Sequence, residues 1–139
     1  RSYFSLKKLV AFDIMHEQIE LAKKRYGGEN YYVGDITKIA AQPNKYDAAF
    51  VFGILHHVPA WKHALREIHR VLKPGGVLLI EEVNKIGVDF ADNYFGFSHS
   101  KEARFNWQQF EDELKATGFN IVDDSKVIFS IFHSYLCEK

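Results

Sequence analysis

Acidic and small residues stand where the short apolar runs of this chain stop. Lys8-Leu9-Val10-Ala11-Phe12 ends in Asp13, and Tyr31-Tyr32-Val33 is closed by Gly34-Asp35. Two longer runs end in Phe52-Gly53 and in Glu81-Glu82. A carboxylate at the end of a strand can accept hydrogen bonds from both hydroxyls of a ribose, which is the chemistry offered by Asp13. Its alternative is a cap for a helix starting at Ile14. Asp35 is placed to accept from an adenine amino group, or is a turn aspartate after Gly34. Ile14 and Ile36 each follow an acid and can sandwich an adenine ring, or serve as ordinary packing. Met15 joins them as a candidate cofactor contact.

These residues need elements to hold them. Apolar run 8–12 reads as a buried strand. Met15, Ile19, Ala22 and Tyr26 recur at the spacing of one helix face, stopped by Gly27-Gly28. Tyr31–Val33 is a second strand and Asp47–Phe52 a third, so apolar that it suits a parallel strand covered on both faces. After Pro59, a helix carries the stripe Trp61, Ala64, Leu65, Ile68, Val71 and Leu72. Lys73-Pro74-Gly75-Gly76 makes a turn, with glycine accepting positive φ, before a buried strand Val77–Ile80. Residues 84–105 read as irregular and aromatic-rich. Asn106 caps a last helix with Trp107, Phe110 and Leu114 inward, ended by Gly118. Stretches Phe119–Ile128 and Ser130–Leu136 then form a hairpin. Strands alternating with helices predict one α/β domain over residues 1–139, with a mainly parallel sheet.

Bulk properties narrow the class of function. Eighteen basic residues balance eighteen acidic ones, so no electrostatic footprint for nucleic acid or an anionic membrane is expected. No apolar run approaches the roughly 20 residues that span a bilayer. The single Cys137 fits a reducing, cytoplasmic compartment and reads as a buried small hydrophobe.

Polar groups beyond the two acids are fewer. His56 and His57 suggest a general base or a structural closure of the loop after the third strand. Adjacent histidines on a strand diverge, and no His-Glu-x-x-His spacing occurs among the seven, so no metal site is expected. Adjacent Glu81 and Glu82 point to opposite sides, so at most one faces a pocket. Phe90, Tyr94, Phe95, Phe97, His99 and Phe105 have no clear period and suit a substrate-recognising lid, or core packing under a long loop.

The run Tyr46-Asp47-Ala48-Ala49-Phe50-Val51-Phe52-Gly53-Ile54-Leu55-His56-His57-Val58 resembles the fourth-strand motif of class I S-adenosylmethionine-dependent methyltransferases of the type 11 small-molecule group. Ala64-Leu65-Arg66-Glu67-Ile68 and Arg70-Val71-Leu72-Lys73-Pro74-Gly75-Gly76-Val77-Leu78-Leu79-Ile80 are similar to the helix, turn and strand of the same family. The resemblance implies a Rossmann-like, mostly parallel sheet with a C-terminal antiparallel hairpin, binding S-adenosylmethionine and methylating a small molecule. It assigns the ribose to Asp13 and the adenine to Asp35. The methionine portion falls to Phe52 and Gly53, and His57 lines the cofactor side. An aromatic face beside a sulfonium gains cation–π attraction. No catalytic residue is assigned. A nicotinamide-dependent oxidoreductase fits less well, because the Leu-Lys-Pro-Gly-Gly turn and the Gly-Asp pair do not belong to that pattern.

The family's first strand and Gly-x-Gly-x-Gly loop have no counterpart in the sequence, and Arg1–Lys7 resemble only the tail of the connection that follows them. That loop's amides normally approach the methionine carboxylate, so impaired cofactor affinity is expected. The flanking strands then keep unpaired edges, pair directly, or are completed by another chain in a homo-oligomer. A non-catalytic methyltransferase-like fold is the competing expectation.

Overall fold

A computed structural model describes residues 8–27, 30–127 and 130–139. Strand β1 (Ala11–Asp13), helix α1 (His16–Tyr26) and strand β2 (Tyr31–Val33) form a first unit, with β1 and β2 parallel. A second sheet has the order β3-β4-β6-β5, built from β3 (Tyr46–Phe52), β4 (Leu72–Val83), β5 (Asn120–Val127) and β6 (Phe132–Glu138). Strands β3 and β4 are parallel, and the C-terminal β5–β6 hairpin adds antiparallel to β4. The expected α/β architecture with a terminal hairpin is therefore observed. Among the described residues β1 and β3 do not pair, so direct closure of the two sheets is not the solution adopted. Arg1–Lys7, Gly28 and Ile128, to which the sequence reading gave places, lie outside the described residues.

The core is built by α2 (Trp61–Val71) and α4 (Trp107–Thr117) packing on one face of the larger sheet. Every residue of the predicted α2 stripe is buried: Trp61, Ala64, Leu65, Ile68, Val71 and Leu72. Helix α4 begins with a reciprocal capping box, in which Asn106 Oδ1 accepts from the Gln109 amide and Gln109 Oε1 accepts from the Asn106 amide. It ends at Gly118, whose φ of 105° is open to glycine but strained for other residues. Phe110 and Leu114 enter the core from this helix. Phe105, Phe110 and Trp61 stack there, with ring centroids 4.7 Å apart for the two phenylalanines and 5.7 Å for Trp61 and Phe110.

Arg70 joins the two units. Its guanidinium donates to both carboxylate oxygens of Glu67 and to the carbonyls of Ile39 and Ala41, while Glu67 also accepts from the Ile39 amide. Segment 34–45, which leads from β2 to β3, is thereby fastened to α2. Bidentate geometry and backbone partners make this a stronger fastening than a lone surface ion pair.

Several expectations are corrected. In α1 only Ile19 is buried; Met15 and Tyr26 are exposed, because the helix packs only on three-residue β1 and β2. Strand β3 is not covered on both faces: Phe50 and Phe52 share a side and are 47% and 56% exposed. Lys73–Gly76 is a bulge within β4 rather than a separate turn, since Tyr46 pairs with Leu72 but Ala48 pairs with Val77. Gly75 does take the positive φ the sequence demanded, at 73°. Residues 84–105 are not irregular. They form α3 (Lys85–Phe95), capped by Asn84, and a short 3-10 turn Lys101–Ala103, η2. Phe90 and Tyr94 are one helical turn apart and stack at 4.5 Å, a period obscured in sequence by the neighbouring Phe95 and Phe97. Cys137 is buried, as expected, and burial pushes its thiol up to about 12.

Two outcomes follow for stability. Phe110→Ala should cost about 3–5 kcal/mol in urea unfolding, since the ring is fully enclosed. The His69 and His133 imidazoles are pushed down, chiefly by burial, then by Lys139 and Lys126 respectively. Each is neutral in the fold while the unfolded chain protonates at about 6.5. Their contribution is thus present above that pH and lost as the pH falls through the lower folded values. Urea midpoints should drop between about pH 7.5 and 5.5, and His133→Gln should make the drop shallower.

Candidate functional site

The carboxyl ends of the parallel strands carry the predicted residues in two groups. In the first, the Gly34 amide donates to the Asp13 carbonyl at 2.9 Å, drawing the ends of β1 and β2 together. A Cβ on Gly34 would stand 3.0 Å from the Tyr32 ring and 3.1 Å from the Phe12 ring, so any side chain here would push on both rings. Asp13 Oδ1 accepts from the Met15 amide at 2.8 Å, two residues on, and caps neither Ile14 nor the first turn of α1. Asp35 Oδ1 accepts from the Thr37 amide at 2.8 Å and its hydroxyl at 2.7 Å, and these two bonds hold the carboxyl below the usual range. Both acids therefore form local turns through one oxygen, leaving the other as an acceptor. Ile14 and Met15 are exposed and do not serve the core, whereas Ile36 is partly buried against it.

The second group lies at the ends of β3 and β4. Phe52 is exposed, and Gly53, with φ at 61°, donates its amide to the Glu81 carbonyl at 2.8 Å. Leu55–His57 then form a 3-10 turn, η1, rather than a continuation of strand. Glu82 organises it. Fully buried, its carboxylate accepts from the amides of Ile54 at 2.9 Å and Leu55 at 2.6 Å, and from His56 Nδ1 at 2.9 Å. Glu81 is solvated and accepts from the Ser134 hydroxyl, so one carboxylate of the pair turns inward, as alternation required. The inward one closes a loop instead of meeting a ligand.

Because η1 is a turn, the premise that His56 and His57 diverge does not hold. Their ring centroids are 4.0 Å apart, and His99 packs on both at 5.5 and 4.7 Å. Partial desolvation by its neighbours, then charge repulsion from His56 and His99, push His57 down although its side chain still reaches solvent. His99 arrives because segment 84–105 leaves and rejoins the sheet at one place, with the Lys85 amide donating to the Phe105 carbonyl at 2.8 Å. Arg104 pairs with Asp89 at 2.6 Å and Asp92 at 2.7 Å, and Asp92 in turn accepts from His99 Nδ1 at 2.5 Å. Asp92 and Arg104 carry no signal in the sequence, while Glu82 is legible there only as one of an alternating pair and His99 only as part of the aromatic stretch.

Glu82→Leu leaves three donors without their acceptor and should cost on the order of 3 kcal/mol in chemical unfolding. Glu82→Gln retains an acceptor for the two amides and should cost clearly less. Equal losses would show that the carboxylate contributes only its volume.

Comparison with known proteins fits this geometry. A methyltransferase domain family matches residues 1–80. Malonyl-[acyl-carrier protein] O-methyltransferase of Hamiltonella defensa is 24% identical over 129 residues, covering 93% of this chain and 45% of that protein. Demethylmenaquinone methyltransferase of Renibacterium salmoninarum is 34% identical over 74 residues, covering 53% and 31%. The chain thus spans less than half the length of these relatives. Among solved structures, an S-adenosylmethionine dependent methyltransferase from Mesorhizobium loti superposes with a TM-score of 0.72 at 16% identity, covering 92% of this chain and 78% of that one. The complex of the Haloferax volcanii Trm112 methyltransferase activator with a methyltransferase gives 0.79 at 13% identity, covering 91% and 69%. With its α/β fold, its acids at consecutive strand ends and a family match over more than half its length, the chain belongs to the class I S-adenosylmethionine-dependent methyltransferases.

Proposed function

We propose that this domain binds S-adenosylmethionine and transfers its methyl group to a small-molecule acceptor. One observation carries the reading: Asp13 and Asp35 sit at adjacent parallel strand ends, tied by the Gly34–Asp13 bond, each with one oxygen engaged in its own turn. The oxygen left on Asp13 accepts from the ribose hydroxyls and that on Asp35 from the adenine amino group. Exposed Ile14 and Met15, with Ile36 opposite, bracket the adenine ring. The exposed Phe52 ring and the Gly53 backbone take the methionine portion, and His57 borders the same side. The bound cofactor supplies an activated methyl carbon, so the chain's own task is chiefly to bind and orient.

The acceptor is proposed to be apolar or aromatic. Phe90, Tyr94, Phe95 and Phe97 are all more than half exposed. Their rings run in contact from α3 to His99, with Phe97 and His99 centroids 6.2 Å apart. Such an uncovered aromatic cluster beside polar groups suits recognition of an apolar ligand. Phe105, grouped with them in sequence, is a core residue instead.

Calorimetric titration with S-adenosylhomocysteine tests the reading. Binding is expected, and Asp13→Ala should weaken it by about tenfold or more, the loss of hydrogen bonds to a charged acceptor. No heat up to millimolar ligand, for this chain and for an N-terminally extended one, would leave the non-catalytic fold as the function.

A further inference from the structure

Three imidazoles meet at the carboxyl ends of β3 and β4. One ring nitrogen from each of His56, His57 and His99 lies within 4.8 Å of the other two. Zinc–imidazole bonds of about 2.0–2.1 Å place tetrahedral ligand nitrogens roughly 3.3 Å apart. Ring rotations that draw the three nitrogens together by an ångström or so would therefore complete such a face. Proximity alone does not make a metal site, and a second feature points the same way. Glu82 and Asp92 stand against the Nδ1 of their histidines, His56 at 2.9 Å and His99 at 2.5 Å, an arrangement that favours the tautomer with the proton on Nδ1. In that tautomer the Nε2 lone pair of each ring is free. Metal-binding histidines are commonly oriented by a carboxylate on the other nitrogen in this way.

The supports are themselves anchored. Glu82 is fully buried and gripped by two backbone amides, and Asp92 is paired with Arg104. Neither carboxylate can easily turn away from its imidazole. The two also place negative charge behind the rings, which favours a dication. His57 is exposed, so the cluster opens to solvent on one side and an ion can enter.

We propose that His56, His57 and His99 bind one divalent transition-metal ion such as Zn²⁺, with a fourth position open to water or an oxygen donor. Three imidazoles and an open position are the ligand set of catalytic rather than closed structural zinc sites. His57 also borders the proposed cofactor crevice, so the ion is tested on the chain free of S-adenosylmethionine.

Titration of the whole chain with ZnCl₂ by calorimetry, without chelators or a histidine tag, tests this. One-to-one binding of micromolar affinity or tighter is expected. His57→Ala and His99→Ala should each weaken it by roughly tenfold or more. His16→Ala, which removes a histidine on α1, should leave it unchanged. Titration with Co²⁺ should give visible absorption of the intensity typical of four- or five-coordination in the parent chain, and lose it in both site variants. Absence of saturable binding, or binding that His57→Ala retains at full strength, would overturn the proposal. His57 is exposed and outside the core, so that variant decides the matter even if His99→Ala fails to fold.

Discussion

A buried carboxylate that must find donors is the constraint on which the site depends. Glu82 stands near the end of β4 with no access to water, and an uncompensated charge there would cost several kcal/mol. The chain meets that demand by folding residues 54–57 back over the strand end and presenting two amides and an imidazole. The 3-10 turn, the tautomer of His56 and the stacking of His57 all follow from this one requirement. The apparent functional motif after β3 is first of all a solution to the problem of solvating Glu82 without water.

A second constraint operates on the other side of the domain. The first unit, β1-α1-β2, has little apolar surface to bury, and only Ile19 of its helix is enclosed. Its attachment combines the packing of Phe12 and the adjoining Ile36 against the core with polar fastening. Arg70 and Glu67 hold the backbone of residues 39–41 on α2, while Ile39 itself enters the core. Asp13 and Asp35 are therefore set by a short parallel ladder and a close glycine, whereas Phe52, Gly53 and the histidines are set by a well-packed sheet. The two groups of strand-end residues are thus held by unequal amounts of packing.

The aromatic segment 84–105 links packing to recognition. Its ends are pinned at the sheet through Asn84, Lys85 and Phe105, and Phe105 belongs to the core with Trp61 and Phe110. Between those pins, α3 exposes its rings because both pins and the Asp89–Arg104–Asp92 cluster face inward. The same cluster carries His99 to the ends of β3 and β4. One excursion thus supplies an apolar surface and a third imidazole to the same region.

Much of this was legible in one dimension. The α2 stripe, the cap at Asn106, the glycine at the end of α4 and the terminal hairpin rest on local periodicity and turn chemistry, which neighbouring residues determine. Asp13 and Asp35 were legible as strand-end acids for the same reason. Three things were decided only by tertiary structure. Phe50 and Phe52 are exposed because hydrophobic patterning does not say which face finds a partner. Glu82 is buried and Glu81 solvated because alternation fixes that they differ but not which one turns inward. The histidine cluster joins residues 56 and 57 to residue 99, and no spacing rule spans a helix whose direction depends on where its ends are pinned. Sequence therefore determined the family and most of the elements, α3 excepted; the encounter of distant polar groups, which needs a folded sheet to bring them together, was left to the fold.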